Sequence, residues 1–219
     1  MMKKKGFIFD LDGVIVDTAK YHFLAWKKLA NSLGIDFTEK ENEQLKGVSR
    51  VRSLEKILEW GKISLEEAAF VAQMAKKNED YLTYINKMDE SELLPMVEAR
   101  LEFLKKKDQK IALGSASKNA RHIIDKVNIT PLFDAVVDGT DVTKAKPDPE
   151  VFLKAAELLN MTPENCIVFE DSVAGVEAAN VGHMISIGIG SPKILGHADY
   201  VFKDFTEISE QFLEQLIEE

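Results

Sequence analysis

Four short segments of this 219-residue chain carry side chains suited to moving a phosphoryl group. Asp10-Leu11-Asp12-Gly13 sets two carboxylates two residues apart beside a glycine. Ser115 follows Gly114, Lys146 precedes Pro147, and Glu170-Asp171 is an acidic pair. Clustered carboxylates repel one another unless a cation sits among them. Oxygen-only donors select a hard ion, and phosphate chemistry favours Mg²⁺. Asp10 could then attack phosphorus and form an acyl phosphate. Asp12 could carry the proton that the exchanging oxygen gains or loses. Gly13 permits a tight turn that brings backbone amides toward the phosphate. The Lys146 ammonium would neutralise charge on the transferring group. Plainer readings stand beside these. Asp10 and Asp12 could cap a turn after a strand, and Glu170-Asp171 could be a charge pair at a helix N-terminus.

For these residues to converge, three of the segments must end strands and Lys146 must lie in the loop between the third strand and the next helix. Phe7-Ile8-Phe9 reads as a short buried strand ending at Asp10. Ile111 to Leu113, Ala135 to Val137, Ile167 to Phe169 and Met184 to Ile187 read as further strands, with Tyr200 to Phe202 as an edge strand. Helical spacing separates them, over Met96 to Lys106, Asn119 to Val127, Pro149 to Leu159 and Val173 to Asn180, and a last helix runs near Glu207 to Ile217. Asp148 would start the third of these, with proline at the first helical position. Alternating short strands and helices imply a parallel sheet covered on both faces. In such sheets ligands bind beyond the carboxyl ends of the strands, where the four segments fall.

The stretch from about 18 to 90 shows helical spacing and no strand pattern. A first helix runs to Leu33, capped by Asp17 or Thr18 and stopped by Gly34. A second spans Ser53 to Trp60 and closes at Gly61. Ser64 and Glu67 would form a capping box for a third, reaching about Met88. The expectation is therefore α/β: a parallel-sheet, Rossmann-like core built from 1–17 and 91–219, with a helical insertion at 18–90. Gly188-Ile189-Gly190 imitates part of a phosphate loop but opens no helix, so it reads as a turn.

The whole chain narrows the classes. It has 45% hydrophobic residues, 30% charged residues and a net charge of -9. That acidity argues against general nucleic-acid or membrane-surface binding, and a phosphate substrate would need local cations. No apolar run approaches the ~18 residues of a membrane span. Lys3-Lys4-Lys5 before Gly6-Phe7-Ile8-Phe9 imitates a signal peptide, but Asp10 and Asp12 interrupt it too early. The single cysteine, Cys166, sits in an apolar run and reads as core, which fits a reducing cytoplasm.

Phe9-Asp10-Leu11-Asp12-Gly13-Val14 resembles the first motif of the haloacid dehalogenase superfamily of phosphotransferases. Ser115 matches the second motif, Lys146 the third and Glu170-Asp171 the fourth. The resemblance implies that Asp10, Asp171, the Asp12 carbonyl and Glu170 (through water) hold Mg²⁺, and that the insertion is a small helical cap domain over the site. Asp17 to Trp26, Gln44 to Arg50 and Ala112 to Asn119 are further similar to the β-phosphoglucomutase family within that superfamily. That likeness implies small sugar-phosphate partners and a 1,6-bisphosphate intermediate between β-glucose 1-phosphate and glucose 6-phosphate. It also implies a monomer and substrate contacts from Gly47, Val48, Ser49, Arg50, Ser115, Ala116, Ser117, Lys118 and Asn119. His22 is either structural or near the Asp12 proton, and Trp26 either insertion core or a sugar platform. Arg50 is either a surface ion pair or a phosphate ligand. Lys77, an exposed type of residue, shares its candidacy with Lys76. The same four motifs serve a sugar-phosphate phosphatase. A signalling receiver domain would place its acceptor aspartate on a middle strand, with no insertion after the first. A pure sugar-phosphate-binding module would leave Asp12 little to do.

Overall fold

The computed structural model describes residues 4–45 and 48–218. Gly47 therefore lies outside the described residues. The chain divides into two compact units, Met1–Asp17 with Asp89–Glu219, and Thr18–Met88.

The first unit is built on six parallel strands: β1 (Gly6–Phe9), β2 (Lys110–Gly114), β3 (Ala135–Val137), β4 (Cys166–Glu170), β5 (Ile185–Ile189) and β6 (Tyr200–Phe202). Their order is β3-β2-β1-β4-β5-β6. Phe7 pairs with Ile111 on one side and Ile167 on the other, and Phe9 with Leu113 and Phe169. β1 is buried at all four positions, as a strand covered on both faces must be. Alternate side chains go to opposite faces. Ile8, Ala112 and Val168 pack with Val151, Phe152 and Ala155 of α7 (Glu150–Leu158) and with Ala178 and Ala179 of α8 (Val173–Val181). Phe9 and Phe169 stack at 4.5 Å, with Phe205 beside both.

The other helices of this unit are α5 (Val97–Lys106), α6 (Ala120–Lys126), α9 (Pro192–Leu195) and α10 (Glu210–Glu218). Pro149 precedes α7 as its cap residue instead of opening it, and the Asp148 carboxylate accepts from the Glu150 amide at 3.0 Å. Gly188 is a strand residue of β5, because a side chain there would press on Leu195. Cys166 is buried, and burial pushes its thiol up to about 12, so it is inert packing.

The second unit is helical among its described residues: α1 (Ala19–Ser32), α2 (Glu39–Glu43), α3 (Arg50–Gly61) and α4 (Glu67–Ile85). Its own core holds Trp26, Leu29, Phe37, Leu54 and Ile57. Three local expectations change. Helix α3 starts at Arg50, because the Ser49 hydroxyl accepts from the Arg52 amide. Gly61 is the last residue of α3, and Lys62 takes the left-handed turn at φ 54°. The glycine is there for space: a Cβ would meet Ile35 at 2.5 Å. No Ser64–Glu67 box forms, since α4 begins after Glu66 without a side-chain cap. The Thr38–Glu41 pair forms instead, the Glu41 carboxylate accepting from the Thr38 amide at 3.0 Å and opening the short α2.

Candidate active site

The strand order reverses direction between β1 and β4. Such a switch point opens a crevice at the carboxyl ends of those strands. Asp10 follows β1, and Glu170 ends β4. The Asp10 amide donates to the Phe169 carbonyl at 3.0 Å, which fixes Asp10 beside β4. After Asp10 the chain curls back on itself. The Ile15 and Val16 amides both donate to the Leu11 carbonyl, at 2.9 and 3.1 Å, and Gly13 donates to Val16 at 2.8 Å. Gly13 has φ +79°, open to glycine and costly for other residues. A Cβ there would lie 2.2 Å from the Asp171 carboxylate, so that carboxylate rests on the glycine. The turn thus sets the Asp12 amide on Asp10 and seats the Asp171 carboxylate on Gly13.

Lys146 comes from the long loop between β3 and α7. Its ammonium donates to Asp10 Oδ1 at 2.6 Å and to Glu170 Oε1 at 2.5 Å, and sits 4.6 Å over the Phe152 ring. The side chains of Lys146 and Glu170 are each 1% exposed. Glu170 spends its other oxygen on the Ser172 amide and hydroxyl, at 2.7 and 2.9 Å. Gly175 leaves room for that carboxylate, since a Cβ would overlap it. The second oxygen of Asp10 accepts from the Asp12 amide at 3.1 Å. Burial pushes the Asp10 carboxyl up to about 6; Lys146 opposes that rise, and Glu170 adds to it. Burial alone would depress the Lys146 ammonium, but its two carboxylate partners outweigh this and hold it above its usual range.

Ser115 follows β2, buried, with its amide donating to Val137 at 3.0 Å. Its hydroxyl accepts from the Ser117 amide at 3.1 Å, and the Ser117 hydroxyl accepts from Asn119 at 3.3 Å. Gly139 backs this loop: its amide donates to Ser117, and a Cβ would strike the Ala116 carbonyl. Lys118 is exposed.

Among the described residues, no three His, Cys, Asp or Glu side chains form a ready-made metal cage. Mg²⁺ does not require one, since it keeps several waters and takes one or two carboxylates plus substrate phosphate. The oxygens of Asp10, Asp12 and Asp171 around a glycine turn suit such an ion in type.

The helical unit gathers a second group. Lys77 is not exposed but buried, at 2%. Its ammonium lies 2.9 Å from His22 Nδ1 and 4.6 Å from both the Trp26 and Tyr81 rings. An ammonium only donates, so Nδ1 accepts and the imidazole proton sits on Nε2. Burial, then Lys77 and Arg50, hold His22 well below its usual range, so it is neutral. Trp26 is a core residue with a cation over its face. Tyr81 was not among the sequence candidates, although its place four residues after Lys77 puts both on one helix face. Its ring lies 4.2 Å from the His22 ring. Val48 and Ser49 lead into α3, which Arg50 opens.

A family model described as haloacid dehalogenase-like hydrolase matches residues 4–183. The chain is 41% identical to a β-phosphoglucomutase of Bacillus subtilis over 213 residues, 96% of this chain and 94% of that one. It is 34% identical to a phosphorylated carbohydrates phosphatase of Thermotoga maritima over 174 residues, 78% of each chain. The crystal structure of a β-phosphoglucomutase from Clostridium difficile superposes with a TM-score of 0.93 at 41% identity, covering 98% of this chain and 97% of that one. A family model over residues 4–183 and a likeness that runs through both units leave one conclusion: the chain belongs to the haloacid dehalogenase-like hydrolase family, on its β-phosphoglucomutase branch.

Proposed function

We propose that this protein is a phosphoryl-transfer mutase that interconverts β-glucose 1-phosphate and glucose 6-phosphate through an aspartyl-phosphate enzyme and a 1,6-bisphosphate. The observation that carries the choice is the reach of the likeness. The 41% identity to a β-phosphoglucomutase spans 96% of the chain, helical unit included, whereas the phosphatase relative matches 78% at 34%.

In this reading Asp10 is the nucleophile. One oxygen is held by Lys146 and the other by the Asp12 amide, so the carboxylate is oriented before substrate arrives. Attack of an Asp10 oxygen on one phosphorus of the bisphosphate forms the acyl phosphate and releases that sugar oxygen, which takes a proton from Asp12. In the return step Asp12 removes the proton from the free hydroxyl of a sugar monophosphate as that oxygen attacks the phosphoryl group on Asp10, which makes the bisphosphate and frees the carboxylate. Lys146 faces the transferring group and offsets its charge. Ser115 donates its hydroxyl proton to a phosphoryl oxygen. Asp10, Asp171 and the Asp12 carbonyl, with Glu170 through water, would hold Mg²⁺, which supplies charge neutralisation and orients the phosphoryl oxygens.

Arg50 is the proposed clamp for the phosphate not being transferred, since a guanidinium grips phosphate in bidentate fashion. Val48, Ser49, Ala116, Ser117, Lys118 and Asn119 are assigned to substrate on the same resemblance. Neutral His22 and Lys77 are assigned to the sugar. The protein is read as a cytoplasmic monomer, and no helix among its described residues is long and apolar enough to cross a membrane.

The test is to incubate the protein with β-glucose 1-phosphate, Mg²⁺ and a trace of the bisphosphate. Glucose 6-phosphate should exceed inorganic phosphate many-fold. Release of mainly inorganic phosphate would make the protein a sugar-phosphate phosphatase.

A further inference from the structure

We propose that Glu150 is a positioning residue for Lys146: its carboxylate ties down the loop that carries the ammonium to Asp10 and Glu170. The inference rests on the reading of Asp10 and Lys146 as the phosphoryl-transfer pair. Lys146 has a long flexible stem, and its ammonium acts as a point charge. Its contacts of 2.6 and 2.5 Å therefore depend on where its backbone is held.

That backbone belongs to residues 138–149, between β3 and α7, which form no helix or strand. Glu150, the first residue of α7, reaches back over this loop. Its Oε2 accepts from the Thr143 amide at 2.9 Å and the Lys144 amide at 2.7 Å. The Thr143 hydroxyl donates to the same oxygen at 3.1 Å. Oε1 is taken by Lys154, one turn along α7, at 2.9 Å. The hydrogen bond from Lys154, then those from the Lys144 and Thr143 amides, hold the carboxyl down at about 2, so it stays ionised through the working range.

Both ends of the stretch are thereby joined. Asp148 accepts from the Glu150 amide at 3.0 Å and pairs with Lys144 at 3.2 Å. The segment from Thr143 to Glu150 is a closed loop, with Lys146 inside it. Lys154 extends the tie by donating to the Asp141 carbonyl at 2.5 Å. Asp141 in turn accepts from the Asp138 amide at 2.9 Å and pairs with Arg121 at 2.7 Å. Glu150 does not touch the reacting atoms; it acts through the placement of Lys146.

A double-mutant cycle separates positioning from a diffuse structural effect. Isomerisation and fluoroberyllate affinity in Mg²⁺ are measured for wild type, Glu150→Ala, Lys146→Ala and the double variant, with thermal unfolding for each. Glu150→Ala should lower kcat by about 10- to 100-fold, the scale of a displaced catalytic group. It should change KM by no more than about twofold. In the Lys146→Ala background the same substitution should cost nothing further, because the group it positions is gone. Glu150→Gln, which keeps an acceptor oxygen for the two amides, should recover most of the rate; if the alanine variant does not fold, Glu150→Met, similar in length but with no acceptor oxygen, takes its place in the cycle with the same expected loss. Losses that multiply in the double variant, or a folded Glu150→Ala or Glu150→Met enzyme with unchanged kcat, overturn the proposal. If Lys146→Ala itself leaves turnover unchanged, the reading of the site falls and this inference with it. If wild type releases inorganic phosphate, the cycle is run on that product and decides the role of Glu150 all the same.

Discussion

At the scale of single residues, the decisive object is a buried carboxylate held between a cation and an amide. Asp10→Asn removes the nucleophile but keeps its shape. Turnover should fall to background while thermal unfolding of the metal-free protein changes little, and near-normal activity would end the aspartyl-phosphate reading. Asp12→Asn should slow isomerisation by the ~10²–10⁴-fold typical of a lost acid–base group. The Asp10 carboxyl, pushed up to about 6, also sets a pH dependence. Between the ordinary carboxylate value and 6, the folded metal-free chain binds a proton that the unfolded chain does not. Its stability from this group is thus greatest at low pH and falls as pH rises through that window. A divalent cation needs the ionised form, so binding displaces the proton. Calorimetry should find affinity about tenfold weaker at pH 5 than at pH 7, with proton release at pH 5 only. Equal affinities at the two pH values would show that Asp10 is not a ligand.

At the scale of elements, the turn after β1 and the loop before α7 do most of the positioning. Gly13 has a left-handed backbone with the Asp171 carboxylate against it. Gly13→Ala should cost about 1–2 kcal/mol in backbone strain alone. It should also push Asp171 aside, so cation affinity should drop by more than stability explains. A variant with lowered melting temperature but unchanged cation affinity would refute the link between this turn and Asp171. The chain leaves the core unit beside the segment through which it returns, since Val16 bridges to Leu93 and the Leu94 amide donates to Ile15 at 2.9 Å. The segments flanking the helical unit are thus fastened to each other within the core.

At the scale of the whole molecule, two units each carry a core. Leu54 and Ile57 are fully buried within the helical unit, and Phe9 and Phe169 within the sheet. Leu54→Ala should cost about 2–5 kcal/mol, the range for a buried leucine truncation. Hydrogen exchange should then accelerate over residues 18–88, while β1, β2 and β4 amides keep their protection. Equal acceleration in both units would mean that they unfold together. A matching loss of isomerisation would further show that the helical unit must be folded for transfer to sugar.

Much of this protein was written in local pattern. Short apolar strands alternating with helices announce a parallel sheet, and each observed strand overlaps its expected span. Asp10, Ser115 and Glu170-Asp171 stood out because they end strands, where a ligand is met in such a sheet, and Lys146 because it lies in the loop between the third strand and the next helix. Local signals failed where a distant contact won. Gly61 reads as a helix stop, but Ile35 is what demands a glycine there. Ser64 and Glu67 have the spacing of a cap, yet the chain before α4 takes another path. Lys77 looks like a solvated lysine until folding places it on His22, Trp26 and Tyr81. Glu150 is one of many acidic residues in the sequence, and only the returned loop gives it two amides to hold. Sequence alone determined which elements form and which residue types meet at the sheet edge, because backbone propensity and apolar periodicity act over a few residues. The place of β1 between β2 and β4, the Lys146–Asp10 ion pair and the burial of Asp10 were decided by tertiary structure, because each depends on groups more than a hundred residues apart coming within hydrogen-bond range.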